Sequence, residues 1–135
     1  MQITAKNQTF LNLFKALQDS KDCKGLDFAK AVISNSEIIK NHLQYIEDMV
    51  IPSEEFIKIS LEAKKYIDAE DMESLQKMEA EDGNAVIIAA RKEQLAKADE
   101  ELKKESTLEL EVIKEETLPK DIAVINYEVM KVIIK

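Results

Sequence analysis

Seven positions between Phe28 and Met49 recur at steps of four and three residues: Phe28, Val32, Asn35, Ile39, His42, Ile46 and Met49. That spacing gathers them on one stripe of a continuous helix. The helix is predicted to stop at Val50-Ile51-Pro52, because the proline ring disfavours helical backbone at the residue before it. Ser53 then offers an N-cap, and Glu54 and Glu55 suit the positive end of a new helix. Phe56, Ile59, Ala63 and Tyr66 repeat the helical spacing. A connection this short favours an antiparallel helical hairpin. The stretch from Leu26 to Ile67 therefore sets the expected fold class: mainly α with a minor β element, built on that hairpin plus one or two short strands.

The flanking segments are read the same way. Gln2-Ile3-Thr4 is a short strand candidate. Asn7 is a candidate N-cap for a helix with Phe10, Leu13, Phe14 and Leu17 on one face. Gly25 is expected to close that helix in a left-handed conformation. Met72, Leu75 and Met78 suit a short helix, Asp82-Gly83-Asn84 a break, and Ala85 to Lys104 a last long helix with a thin stripe of Ile88, Leu95, Ala98 and Leu102. Leu108, Leu110 and Val112 alternate with Glu109 and Glu111, as in a strand with one wet face. After a turn at Leu118-Pro119-Lys120-Asp121, Ile122 to Lys135 fits a helix with Ile122, Ile125, Val129 and Ile133 inward, and fits a strand less well.

Two glycines and two prolines in 135 residues suit long helices with short connections, and that length predicts a single helical domain, residues 1–135. No apolar run is long enough to cross a bilayer, and the first residues lack the pattern of a signal peptide. Cys23 stands alone, so no intrachain disulfide framework can form, in keeping with a reducing cytoplasm. Charge is uneven. Residues 46–106 carry seventeen acids against nine bases, whereas residues 1–45 carry six lysines against four acids. A net charge of −8 argues against general nucleic-acid binding, which needs a basic footprint.

No cofactor or phosphate loop can be written with two glycines, and no nucleophile motif accompanies His42. Cys23 and His42 are too few and too separated for a metal site. The candidate ligand-binding residues are polar groups on apolar stripes. Asn35 either fixes register across a helix seam or hydrogen-bonds a ligand lodged between helices; Asn35→Leu should stabilise the fold but change the oligomeric state or abolish ligand binding. His42 is a core histidine or a ligand contact. Arg91, the only arginine, lies near the Ile88–Leu95 stripe and could grip a phosphate or carboxylate through two parallel hydrogen bonds. Lys30 could add charge, and Tyr45 could stack on a base. The seam and the apolar tail together suggest a homo-oligomer.

The order Gly25-Leu26-Asp27-Phe28-Ala29-Lys30-Ala31, Asn35, Pro52-Ser53-Glu54-Glu55-Phe56, then Leu108-Glu109-Leu110-Glu111-Val112 and Leu118-Pro119-Lys120-Asp121-Ile122, resembles small uncharacterised accessory proteins of tailed bacteriophages. It departs from them in lacking an aromatic residue within Ala29–Ala31. The resemblance implies a small phage accessory protein made in the host bacterial cytoplasm, a group that includes inhibitors of antiviral defence; with no catalytic motif in the chain, a non-enzymatic inhibitor is the expected function. Such an inhibitor would work as an oligomer sequestering a small nucleotide signal, or by binding a host defence protein directly. A virion structural or assembly role is the alternative.

Overall fold

The structure is a computed structural model that describes all 135 residues. Helix accounts for 71% of the chain, beside a small two-stranded antiparallel sheet, so the mainly helical class with a minor β element holds. The elements in order are β1 (Gln2–Lys6), α1 (Asn7–Asp19), α2 (Leu26–Met49), α3 (Glu54–Asp68), α4 (Met72–Ala80), α5 (Asp82–Lys103), β2 (Glu105–Glu109) and α6 (Val124–Met130). Single 3-10 turns follow β2 and α6, at Glu115–Thr117 and Lys131–Ile133. Where length alone predicts one domain, contacts gather the chain into two compact units. One comprises Met1–Tyr45 and Glu101–Lys135, the other Ile46–Glu100.

In the first unit, β1 and β2 pair residue by residue from Gln2 with Glu109 to Lys6 with Glu105. Ile3 and Leu108 are partly buried while Gln2, Thr4 and Lys6 are exposed, the two-residue alternation of a sheet with one wet face. The strand begins at Glu105, earlier than the Leu108–Val112 alternation predicts, because only Glu105–Glu109 has a partner in β1. Leu110 extends this pairing by one residue, exchanging backbone hydrogen bonds of 2.9 Å with Met1, and Leu110 and Ile113 are buried with Phe10, Leu13, Leu17, Phe28, Ile39, Met130 and Ile133. Burying each such side chain stabilises by roughly 1.5–3 kcal/mol.

Three local expectations change here. Asn7 does not cap α1; it is the first helical residue, its side chain is buried, and Lys6 holds the cap position without a side-chain bond. Gly25 has the positive φ expected (124°), but it sits at the start of α2 rather than the end of α1, where its carbonyl accepts the Ala29 N–H at 2.9 Å. The tail forms a helix only over Val124–Met130, and the inward residues are Asn126, Met130 and then Ile133, with Ile125 exposed. The side chain of Asn126 decides this rotation: its Nδ2 donates to the Asp19 carboxylate at 2.6 Å, docking α6 on α1. Beyond α6, Ile134 bridges Ile113 in parallel, so the ambiguous tail ends in a single strand-like contact.

In the second unit, Ser53 caps α3 as predicted, its Oγ accepting the Phe56 N–H at 3.1 Å. Asp71 caps α4 likewise, accepting from Ser74 N at 3.1 Å, and the Ser74 hydroxyl and then this backbone bond hold its carboxyl below the usual range. Ile59, Leu75 and Met78 form the core, flanked by Ala63, Tyr66, Ile87 and Ile88. The hairpin expected from Leu26–Ile67 therefore finds its core partners for α3 in α4 and α5. Met72, expected inside, is exposed. The chain break falls at Glu81, one residue early. Asp82-Gly83-Asn84 becomes the first turn of α5, where Asn84 Nδ2 donates back to the Met78 carbonyl at 2.9 Å.

Candidate functional site

Polar side chains enter the apolar stripes at three places, and each is built from a different pair of elements. The first is Asn35. It is fully buried on α2. Its Nδ2 donates to the Glu111 carbonyl at 2.9 Å, and its Oδ1 accepts the Glu111 N–H at 2.7 Å. The amide thus treats residue 111 as an antiparallel strand partner would. It holds the chain where β2 has ended and Leu110 and Ile113 turn into the core. The helix seam predicted from spacing is real, but Asn35 matches a backbone segment of its own unit.

The second place is centred on Asn7, which lies two turns of α2 from Asn35 through its contact with His42. Asn7 Nδ2 donates to the Glu101 carbonyl at 2.9 Å, which turns Oδ1 toward the imidazole; His42 Nε2 lies 3.0 Å away and donates to it. The Tyr45 hydroxyl donates to the Glu101 carboxylate at 3.0 Å, and Lys104 pairs with the same carboxylate. Phe10 and Tyr45 meet the His42 ring edge-on, with centroids 6.3 and 6.4 Å away. Burial and then the Glu101 acceptor push the Tyr45 hydroxyl pKa up. The bonds from Lys104 and Tyr45 hold the Glu101 carboxyl below its ordinary value. The imidazole nitrogen Nε2 is committed to the Asn7 amide.

The third place belongs to the second unit. Arg91 Nη1 donates to the Val50 carbonyl at 2.6 Å and to Gln94 Oε1 at 2.8 Å, while its guanidinium lies 5.4 Å from the Phe56 ring centroid. Gln94 Nε2 donates to the Ile51 carbonyl at 2.7 Å. These two side chains satisfy carbonyls left unpaired where α2 ends, and a cation there opposes the negative helix end. Arg91 clamps the turn into α3 through carbonyl and amide oxygens of its own unit, where the sequence suggests a phosphate or carboxylate partner.

Of the five residues singled out from the sequence, His42 and Tyr45 come together. Asn35 bonds Glu111 elsewhere in the same unit, Arg91 lies in the other unit, and Lys30 is exposed on α2. Asn7 and Glu101 join the network unannounced. Asn7 was legible: extending the spacing of Phe10, Phe14 and Leu17 back by three residues puts it on the inward face. Glu101 carried no signal, because its carbonyl and carboxylate act through tertiary placement. The open spaces are shallow grooves, including one of about 480 Å³ between α1 and α6 and one of about 400 Å³ beside Leu61 on α3. No three His, Cys, Asp or Glu side chains converge as metal ligands, and no helix is long and apolar enough to cross a membrane.

What distinguishes the second unit is its outside. Five of its apolar side chains are buried: Ile46, Ile59, Leu75, Met78 and Ala98. Seven large ones are exposed: Ile51, Ile57, Leu61, Ile67, Met72, Val86 and Leu95. The same unit carries fifteen acids and seven bases, a net of −8, and the first unit carries twelve of each, so the whole net charge resides here. Comparison with protein-family models, with curated proteins and with solved structures finds no match to this chain.

Proposed function

We propose that this chain is a non-enzymatic binding protein that acts by docking the Ile46–Glu100 unit on a protein partner. The observation that carries the reading is that this unit exposes more large apolar side chains than it buries. Single exposed apolar residues are ordinary, but in this unit the large exposed ones outnumber the buried apolar ones, seven to five. The acidic excess around them suits a partner with a basic rim, since complementary charge speeds encounter and rejects wrong partners. Following the resemblance to tailed-phage accessory proteins, we assign the partner to a bacterial antiviral defence system and the chain to its inhibition. The version in which a small nucleotide is held by Asn35 and Arg91 has less support, because both side chains spend their hydrogen bonds inside the fold.

The test is to express the chain in bacteria that each carry one defence system and to measure phage plating. Restored plating on at least one host is the expected outcome. Unchanged plating across the panel, with the protein recovered in purified virions, would replace inhibition with a structural role.

A further inference from the structure

The outer face of α3 carries a pattern that its own fold does not use. Ile57 and Leu61 lie about 160° around the helix on either side of the buried Ile59, by the 3.6-residue turn. They are 44% and 60% exposed, so α3 has a second apolar stripe facing away from its core. Glu54 flanks this stripe in the first turn and Lys64 and Lys65 flank it near the last, with Asp68 beyond them at the helix end. Glu54, Lys64 and Lys65 make no ion pair within the chain. Along the Leu61 side runs the open groove of about 400 Å³ lined by Lys58, Leu61, Glu62, Lys65 and Tyr66.

From this arrangement we infer that α3 self-associates with α3 of a second copy, antiparallel and about a two-fold axis level with Ile59. This inference stands apart from the partner docking above, which other exposed residues of the unit can serve. In that register Ile57 of each copy lies opposite Leu61 of the other, giving four apolar side chains at the centre. The same axis sets Glu54 of one copy beside Lys65 of the other, on the side of the helix that bears the groove. Two-fold symmetry makes each such pair occur twice. A parallel pairing would instead set acid against acid and lysine against lysine. One helix pair buries less than the roughly 1,600 Å² of a standard stable interface, so the association is weak and depends on concentration.

Sedimentation velocity over a concentration series of the full chain tests it. The mass is expected to rise from 15.4 kDa toward twice that value. Leu61→Glu should leave a monomer at every concentration. Glu54→Lys and Lys65→Glu should each weaken dimerisation at least tenfold, and the double variant Glu54→Lys with Lys65→Glu should regain it. Circular dichroism of each variant should match that of the natural sequence, which separates lost association from lost helix. A 15.4 kDa species throughout would overturn the inference. So would a dimer that Leu61→Glu leaves intact, or single reversals whose combination gives no recovery. A natural chain that stays monomeric yet restores phage plating would overturn the dimer and leave the docking reading standing.

Discussion

Asn35→Leu should destabilise the protein. On spacing alone the same substitution looks favourable, because it completes an apolar seam. In the structure it deletes two hydrogen bonds to Glu111, of 2.9 and 2.7 Å, and leaves the peptide groups of that residue without partners. Each unmade bond to a partly buried backbone group costs about 1–3 kcal/mol, or about 4 kcal/mol for the pair at mid-range. Leucine returns about 1–2 kcal/mol through apolar burial, even if its branched end fits where the amide lay flat. The net loss is about 2–3 kcal/mol. Urea unfolding followed by circular dichroism reads this directly. With a slope of about 1.5 kcal/mol per molar urea, the midpoint should fall by about 1.3–2 M. Amide exchange at Glu111 should quicken in parallel. A midpoint that stays or rises would refute the strand-like role of Asn35 and return it to an inter-subunit seam.

Arg91→Ala removes the bond to the Val50 carbonyl and the contact with Phe56, and should cost about 1–3 kcal/mol, seen as a lower melting temperature; Arg91→Lys should recover only part of it, since an ammonium cannot reproduce the planar fork. Ser36→Ala should stabilise by about 1 kcal/mol in the same melts, because the Ser36 hydroxyl is buried without a partner and alanine favours the helix. Glu101, whose folded pKa lies below its ordinary 4.5, contributes stability that is complete above that value and lost as pH falls through the folded pKa. Acid titration of the melting temperature should therefore be shallower for Glu101→Gln below about pH 4.5, and identical slopes would remove Glu101 from the network.

Much of the helical frame was legible because it is local. Proline at 52, serine at 53 and the steps of four and three residues report directly on backbone geometry, so the ends of α2 and the start of α3 fall where the chain places its punctuation. Several of the errors share one cause, which is that a side chain chose a tertiary partner over a local one. Asn7 gives up capping to bond Glu101 and His42. Asn126 turns α6 by pairing with Asp19, and so Ile125 faces water. Asn35 and Arg91 stood out correctly as unusual, yet spacing cannot say whether the second half of a hydrogen bond is a ligand, a neighbour copy or a carbonyl of the same chain. The exposed face of the second unit was the least visible feature of all. Periodicity marks Ile57 and Leu61 as apolar, and only the fold shows that nothing of their own covers them.

The docking reading rests on apolar surface that is dispensable to the fold. Met72 and Val86 are both exposed and stand near the N-terminal ends of α4 and α5, where an added carboxylate is tolerated or favoured. The decisive measurement is phage plating on a defence-bearing host that expresses the Met72→Glu, Val86→Glu double variant, beside the natural sequence. The account predicts plating as low as without the protein, from a variant that melts at the natural temperature. Plating equal to that of the natural sequence would contradict it, and the work of this protein would then lie outside the exposed face of its acidic unit.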